Sequence, residues 1–278
     1  KTASTHIGHL LKELFDGTLY HSRVIENGMT FDKHLPAPPQ LLDKKRYFLA
    51  SIRNPFDWYL SLWAFLCSGF IHEPASLQYK QYKEILDKHF STYSKTAKTL
   101  TRPHVILRKL LKEFSKPTEV WKELYKDSSD IDNFRKWLRL LNAPEHYRHV
   151  RDGYGESDVS HFCGFFSYRY LRLCCENSST VRRPGSFSNR DNIRLYDKEN
   201  SYIDAFVRQE DLEATLCNAL NDAGLLNKDR RELIYSKKKT NTSKRPHAIN
   251  AYYDEASKDI VQDRDWLIFE KFGYAFPD

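Results

Sequence analysis

Near the start of the chain, hydrophobic positions recur with a helical period. Ile7, Leu10, Leu11 and Leu14 fall on one face of residues 4–15. Ser4 or Thr5 is placed to cap that helix, and Asp16-Gly17 ends it. Leu19–Val24 reads as a short strand. The compact apolar run Tyr47-Phe48-Leu49-Ala50-Ser51-Ile52 lies between Lys44-Lys45-Arg46 and Arg53-Asn54-Pro55, which predicts a buried parallel strand. From Asp57 to Phe65 the period is helical again, carried by Trp58, Leu62 and Phe65.

Residues 75–150 are rich in Lys and Glu and predict further helices, with Ile131, Phe134, Leu138 and Leu141 as the cleanest stripe. The stretch 143–200 carries Gly153, Gly155, Gly164, Pro184 and Gly185 and reads as irregular chain, of the kind that forms binding loops or lids. Within it Phe162, Phe165, Phe166, Tyr168 and Tyr170 are candidates for the wall of a substrate pocket, with ordinary core aromatics as the other reading. Ala205-Phe206-Val207-Arg208 reads as a strand, followed by a helix from Leu212 to Ala223. A basic stretch from Lys237-Lys238-Lys239 to Lys244-Arg245 precedes a last helix over Asp254–Phe272. No internal repeat or low-complexity linker interrupts the order, which predicts a single α/β domain, residues 1–278, with a helical insertion at about 75–150.

Composition narrows the class. Hydrophobic residues make up 40% of the 278 and charged residues 29%, an ordinary balance for a globular chain with a sizeable core. The net charge of +7 favours an anionic ligand. Cys67, Cys163, Cys174, Cys175 and Cys217 have no CxxC spacing and read as reduced, mostly buried thiols of a cytoplasmic protein. No apolar run approaches the ~20 residues that cross a bilayer. Lys1-Thr2-Ala3-Ser4 does not resemble a secretory signal and begins directly beside a motif, so a short preceding piece carrying a first strand is expected to be missing.

Three constellations could carry chemistry. Lys1-Thr2-Ala3-Ser4-Thr5 opens a helix: small residues let the backbone approach an anion, hydroxyls donate to it, and the helix N-terminus adds unpaired N–H groups. It is not a Walker loop, because GxxxxGK[ST] is absent. Arg53-Asn54-Pro55-Phe56-Asp57, followed by Ser61, stands at the C-terminal end of a predicted strand, where open α/β sheets bind ligands. His34, in Asp32-Lys33-His34-Leu35-Pro36, has a side chain suited to general-base work near neutrality. His146-x-x-His149 lacks further ligands at metal spacing and reads as surface, so no metal is expected.

In this order the three segments resemble the PAPS-dependent sulfotransferases, especially the soluble small-molecule enzymes, which use 3'-phosphoadenosine-5'-phosphosulfate. The family's first loop reads roughly PKSGTTW, its second KTHLP, its third RNPxDxxxSxxxF. Here Ala3 replaces a glycine, His6 a tryptophan and Lys33 a threonine, while Arg53, Asn54, Pro55, Asp57, Ser61 and Phe65 match the third motif throughout. Arg208-Gln209-Glu210-Asp211-Leu212 resembles the family's strand ending in YEDL, with Gln209 where a tyrosine stacks on adenine. The RKGxxG loop is absent, and Ser243, Lys244 and Arg245 are its nearest substitutes.

The resemblance implies a P-loop-like three-layer fold, a central parallel sheet flanked by helices. It implies that Lys1, Thr2, Ala3, Ser4 and Thr5 hold the 5'-phosphosulfate end, that His6 stands where a tryptophan faces the adenine, that Arg53 and Ser61 grip the 3'-phosphate, and that Lys1, His34 and Ser61 serve catalysis. It implies PAPS as sulfuryl donor, no metal, and a small-molecule acceptor, with a carbohydrate as second choice. No nucleic-acid-binding motif is present, yet a polyanion-binding module, a nucleotide kinase and a non-catalytic relative remain the competing classes.

Overall fold

The computed structural model describes residues 4–15, 23–26, 29–32, 36–37, 39–42, 46–68, 111, 118–150, 152–237 and 245–277. The predicted first helix is α1 (Ser4–Leu14), and a hairpin of β1 (Arg23–Glu26) and β2 (Met29–Asp32) follows. The hairpin is antiparallel, from Arg23↔Asp32 to Glu26↔Met29. Thus the strand expected over Leu19–Val24 begins at Arg23 among the described residues and turns back on itself. Next come β3 (Leu49–Ile52) and α2 (Pro55–Cys67), then α3 (Thr118–Leu124) and α4 (Ile131–Asn142).

The stretch expected to be irregular is mostly helical. It holds α5 (Val159–Phe162), α6 (Phe165–Cys174), α7 (Ser178–Arg182) and α8 (Arg190–Asn200). Its glycines and proline separate these helices instead of preventing them. Short helices draw most of their stability from packing, which local propensity does not report. After β4 (Ala205–Arg208), α9 (Leu212–Asp222) and α10 (Lys228–Ser236), the expected last helix is broken into α11 (Ile249–Tyr252), α12 (Glu255–Arg264) and α13 (Trp266–Phe272). The break falls at Asp265, which leaves helical geometry.

The described residues are therefore mainly helical, with one small parallel sheet. β3 and β4 pair in parallel from Leu49↔Ala205 to Ile52↔Arg208. Alternation along them serves two cores. Ala50, Ile52 and Phe206 face the main core, while Leu49 and Val207 face a smaller one made with Ile7, Leu10 and Leu14 of α1, Leu212, Leu216 and Leu220 of α9, and Ile234 of α10. Helices thus cover both faces of the two strands, which explains the continuous apolar run in β3.

Helix α2 runs through the main core. Asn54 caps it by accepting from the Phe56 N–H at 3.1 Å, and Pro55 supplies a first position that needs no donor. Phe56, Tyr59, Leu60 and Trp63 are all fully buried, so the helix is covered nearly all round. The predicted stripe of α4 is also buried through Phe134, Trp137, Leu138 and Leu141. Cys163, Cys174, Cys175 and Cys217 are buried and Cys67 half-buried, all as free thiols. No described helix is long and apolar enough to cross a membrane.

Candidate functional site

Parallel pairing brings the C-terminal ends of β3 and β4 together, and Arg53 and Gln209 are the first residues past them. The ladder extends one step further, since the Gln209 N–H donates to the Ile52 carbonyl at 3.0 Å. Arg53 then turns back along α2 to pair with Asp57, donating to Oδ2 through Nε. Arg245, far away in the chain, donates through Nη1 to the other oxygen, Oδ1. One carboxylate therefore carries two guanidinium groups, both largely shielded from solvent: the side chains of Arg53 and Arg245 are 7% and 18% exposed.

Burial pulls the Arg53 guanidinium below its ordinary range, Asp57 works in the opposite direction, and the second guanidinium of Arg245 adds to the lowering. Arginine stays charged under such a shift. Glu210 adds a second carboxylate beside the pair: its Oε1 accepts from the Asn54 N–H at 2.7 Å, and its Oε2 from the Tyr274 hydroxyl at 3.2 Å. The C-terminal segment closes the turn, because Asn54 Nδ2 donates to the Ala275 carbonyl at 2.7 Å and Arg208 Nη2 to the Phe272 carbonyl at 2.6 Å.

Ser61 lies one helical turn beyond Asp57 and is buried. Gln209 is half-buried, and its Oε1 is enclosed without a hydrogen-bond partner among the described residues. An enclosed carbonyl oxygen left unpaired is costly, so it marks a position where a donor would be favoured. Of the residues the motifs singled out, the structure thus collects Arg53, Gln209 and Arg245 at the strand ends, with Ser61 on the adjoining helix. His6 is buried on α1, which opens at Ser4 and Thr5. Lys1, Thr2, Ala3, His34, Ser243 and Lys244 lie outside the described residues.

Sequence reasoning named Arg245 only as a substitute for a missing loop, and it gave no role to Glu210 or Tyr274. Glu210 stood in the quoted Arg208-Gln209-Glu210 segment, and its acceptor role follows once that segment is seen to run past the Asn54 turn. For Tyr274 no local signal exists.

The supposed pocket wall needs correction. Phe165, Phe166 and Tyr168 belong to the main core, and Phe162 is half-buried against it. Phe166 stacks on Trp58 of α2 with ring centroids 4.5 Å apart, and Phe165 lies 6.1 Å from the same ring. Their spacing within α6 serves helix packing, so they join α6 to α2 instead of lining an opening. A surface groove of about 350 Å³ lies elsewhere, against Pro144, Tyr147, Arg148, Gly155 and Ser160, and contains none of the motif residues.

His146 and His149 also depart from the surface reading. His149 is buried, and its Nδ1 sits 3.4 Å from Nδ1 of half-buried His146. Arg148 Nε donates to His149 Nε2 at 3.2 Å. No group of three or more His, Cys, Asp or Glu among the described residues is arranged to hold a metal ion.

Comparison with protein-family models, with curated proteins and with solved structures returns no match to this chain.

Proposed function

We propose that this chain transfers a sulfuryl group from PAPS to a hydroxyl or amine of a small-molecule acceptor, on a three-layer P-loop-like domain. The observation that carries the reading is the meeting of Arg53 and Arg245 at the ends of two parallel strands, beside the N-terminus of the 13-residue helix α2. Arg53 stands in an RNPxDxxxSxxxF segment, and Arg245 stands where a phosphate-binding loop would have to be replaced. Two guanidiniums and a helix N-terminus form a donor set suited to a phosphate monoester. The unpaired Gln209 Oε1 is an acceptor suited to an amino group on a base.

When bound, the donor supplies an activated sulfuryl group whose S–O bond to the 5'-phosphate breaks as the acceptor oxygen or nitrogen bonds to sulfur. Arg53, Arg245 and Ser61 anchor the 3'-phosphate and fix the position of the reacting end. Lys1 neutralises charge gathering on the leaving oxygen, and Thr2 to Thr5 hold the 5'-phosphate. His34 accepts the acceptor's proton.

Thermal unfolding tests the reading first. At about 100 times its dissociation constant, 3',5'-adenosine bisphosphate should add roughly 2.7 kcal/mol, with 5'-AMP and ATP–Mg²⁺ giving much less. Equal shifts from all three, or none, would remove the 3'-phosphate argument. Should the bisphosphate alone act, His34→Ala should lower turnover by about 10²–10⁴-fold with nucleotide affinity nearly unchanged.

A further inference from the structure

The chain leaves α13 at Gly273, whose left-handed φ of 63° ends the helix, and then crosses the ends of both parallel strands. On the β4 side, Arg208 Nη2 donates to the Phe272 carbonyl at 2.6 Å, and its guanidinium carbon lies 5.2 Å from the centre of the Tyr274 ring. The Tyr274 hydroxyl donates to Glu210 Oε2 at 3.2 Å. On the α2 side, Asn54 Nδ2 donates to the Ala275 carbonyl at 2.7 Å. Phe276 meets Phe56 and Tyr253 edge-on, with centroids 4.9 Å and 5.7 Å apart, and the Lys258 ammonium lies 4.5 Å from its ring centre.

These contacts close a ring. Glu210 accepts from the Asn54 N–H through one oxygen and from Tyr274 through the other, and the next residue, Ala275, accepts from the Asn54 side chain. All the polar groups of Asn54 but its carbonyl are thus assigned: the N–H to Glu210, Nδ2 to Ala275, and Oδ1 to the Phe56 N–H that begins α2. Arg53 is joined to Asn54 by one planar peptide, so the direction of its side chain follows the few torsions that this ring fixes. The ring lies at the surface, with Ala275 exposed and Tyr274 and Phe276 half-buried. A segment held by a few partly exposed contacts opens at lower free energy than the core behind it.

We propose that residues 273–277 form a latch on the Arg53 turn, with Glu210 and Tyr274 as positioning residues. Docked, the latch holds Asn54 and so presents Arg53 to an anion at the start of α2. Released, it lets the turn move and the anion leave. Its coupling to a nucleotide rests on the sulfuryl-transfer reading, whereas the latch itself does not.

Hydrogen exchange of the Asn54 backbone and side-chain amides, followed by NMR on the full chain, tests the proposal. In the free chain Asn54 should be at least about tenfold less protected than the backbone amides of Leu60 and Trp63, and far less sensitive to urea. Tyr274→Phe and Glu210→Ala should each lower Asn54 protection by about tenfold. Glu210→Gln keeps an acceptor for Asn54 and a polar partner for Tyr274, so it should stay within about threefold of the parent. Adding 3',5'-adenosine bisphosphate at about ten times its dissociation constant should raise Asn54 protection by about tenfold. Three results would each overturn the latch: Asn54 sharing the protection and urea dependence of Leu60 and Trp63, no change in Tyr274→Phe, or a bisphosphate that binds and leaves Asn54 protection as it was. A bisphosphate that does not bind would remove the nucleotide reading, and the pattern in the free chain and its variants would still decide the latch.

Discussion

Two carboxylates sit against the first turns of α2, and they are treated in opposite ways. Asp57 lies on the helix itself, partly exposed, with a guanidinium on each oxygen. Asp265 comes from the break between α12 and α13 and is fully buried. Its oxygens meet neutral donors: Oδ2 accepts from the Tyr59 hydroxyl at 2.6 Å, and Oδ1 from the Ser167 N–H and hydroxyl, both at 2.7 Å. Ser167 belongs to the first turn of α6, where Gly164 has no side chain to cap with, so a distant carboxylate caps the helix in its place. At Asp265 each oxygen is spoken for within a dry core. Asp57 meets charged donors instead, and its side chain is partly exposed. The lesson is that a buried charge alone does not mark a site; charged donors gathered from distant segments beside a helix start make a better candidate.

The largest expected effect comes from breaking the closed side. Asp265→Ala leaves two hydroxyls and a backbone N–H without an acceptor and should cost about 3–5 kcal/mol in urea unfolding. Bisphosphate affinity of the folded fraction should hold; a parallel loss of affinity would show the two regions to be coupled. On the open side, Arg53→Ala should weaken 3',5'-adenosine bisphosphate binding by about 10–100-fold in calorimetry, because it removes a charged donor. An unchanged affinity would separate Arg53 from the nucleotide.

Gly164→Ala should destabilise by roughly 1–3 kcal/mol, since its Cβ would come 2.6 Å from Asp265 Oδ2. A neutral result in thermal unfolding would show that the carboxylate can move aside.

The smallest effect concerns pH. Burial pushes the Asp265 carboxyl above its ordinary range, against the pull of its donors and of Arg264. The folded chain therefore keeps that proton to higher pH than the unfolded chain. Stability from this group is present below the ordinary value of 3.8 and falls as pH rises through the raised one. The slope is at most about 1.4 kcal/mol per pH unit. Asp265→Asn should flatten the slope, and a wild-type-minus-variant difference rising with pH would contradict the sign.

Much of the local structure was legible. α1, α2, α4, β3, β4 and α9 fall where period and capping residues put them, because those signals act within a turn or two. The run from 143 to 200 was misread as irregular for the same reason. Its helices are short, and what fixes them is contact: Phe166 on Trp58, Tyr154 donating to the Cys163 carbonyl at 2.8 Å, Ser167 under Asp265. The aromatics that suggested a pocket wall were core for that same reason, since a buried helix and a pocket lining share one composition. In the candidate site, Arg53, Asp57 and Ser61 could be read as one unit because the start of a helix spaces them.

What the sequence alone determined is the set of local devices: the helical period of α2 from Asp57 to Phe65, the apolar run of β3, and an arginine with an aspartate four residues on. Only the tertiary structure decided that Arg245 completes the pair on Asp57, that Asp265 caps a helix it does not belong to, and that Tyr274 and Ala275 close a ring with Asn54 and Glu210. The physical reason is range. Helix periods and caps depend on neighbours in the chain, whereas the position of a charge depends on which distant segment the packing of two cores brings beside it.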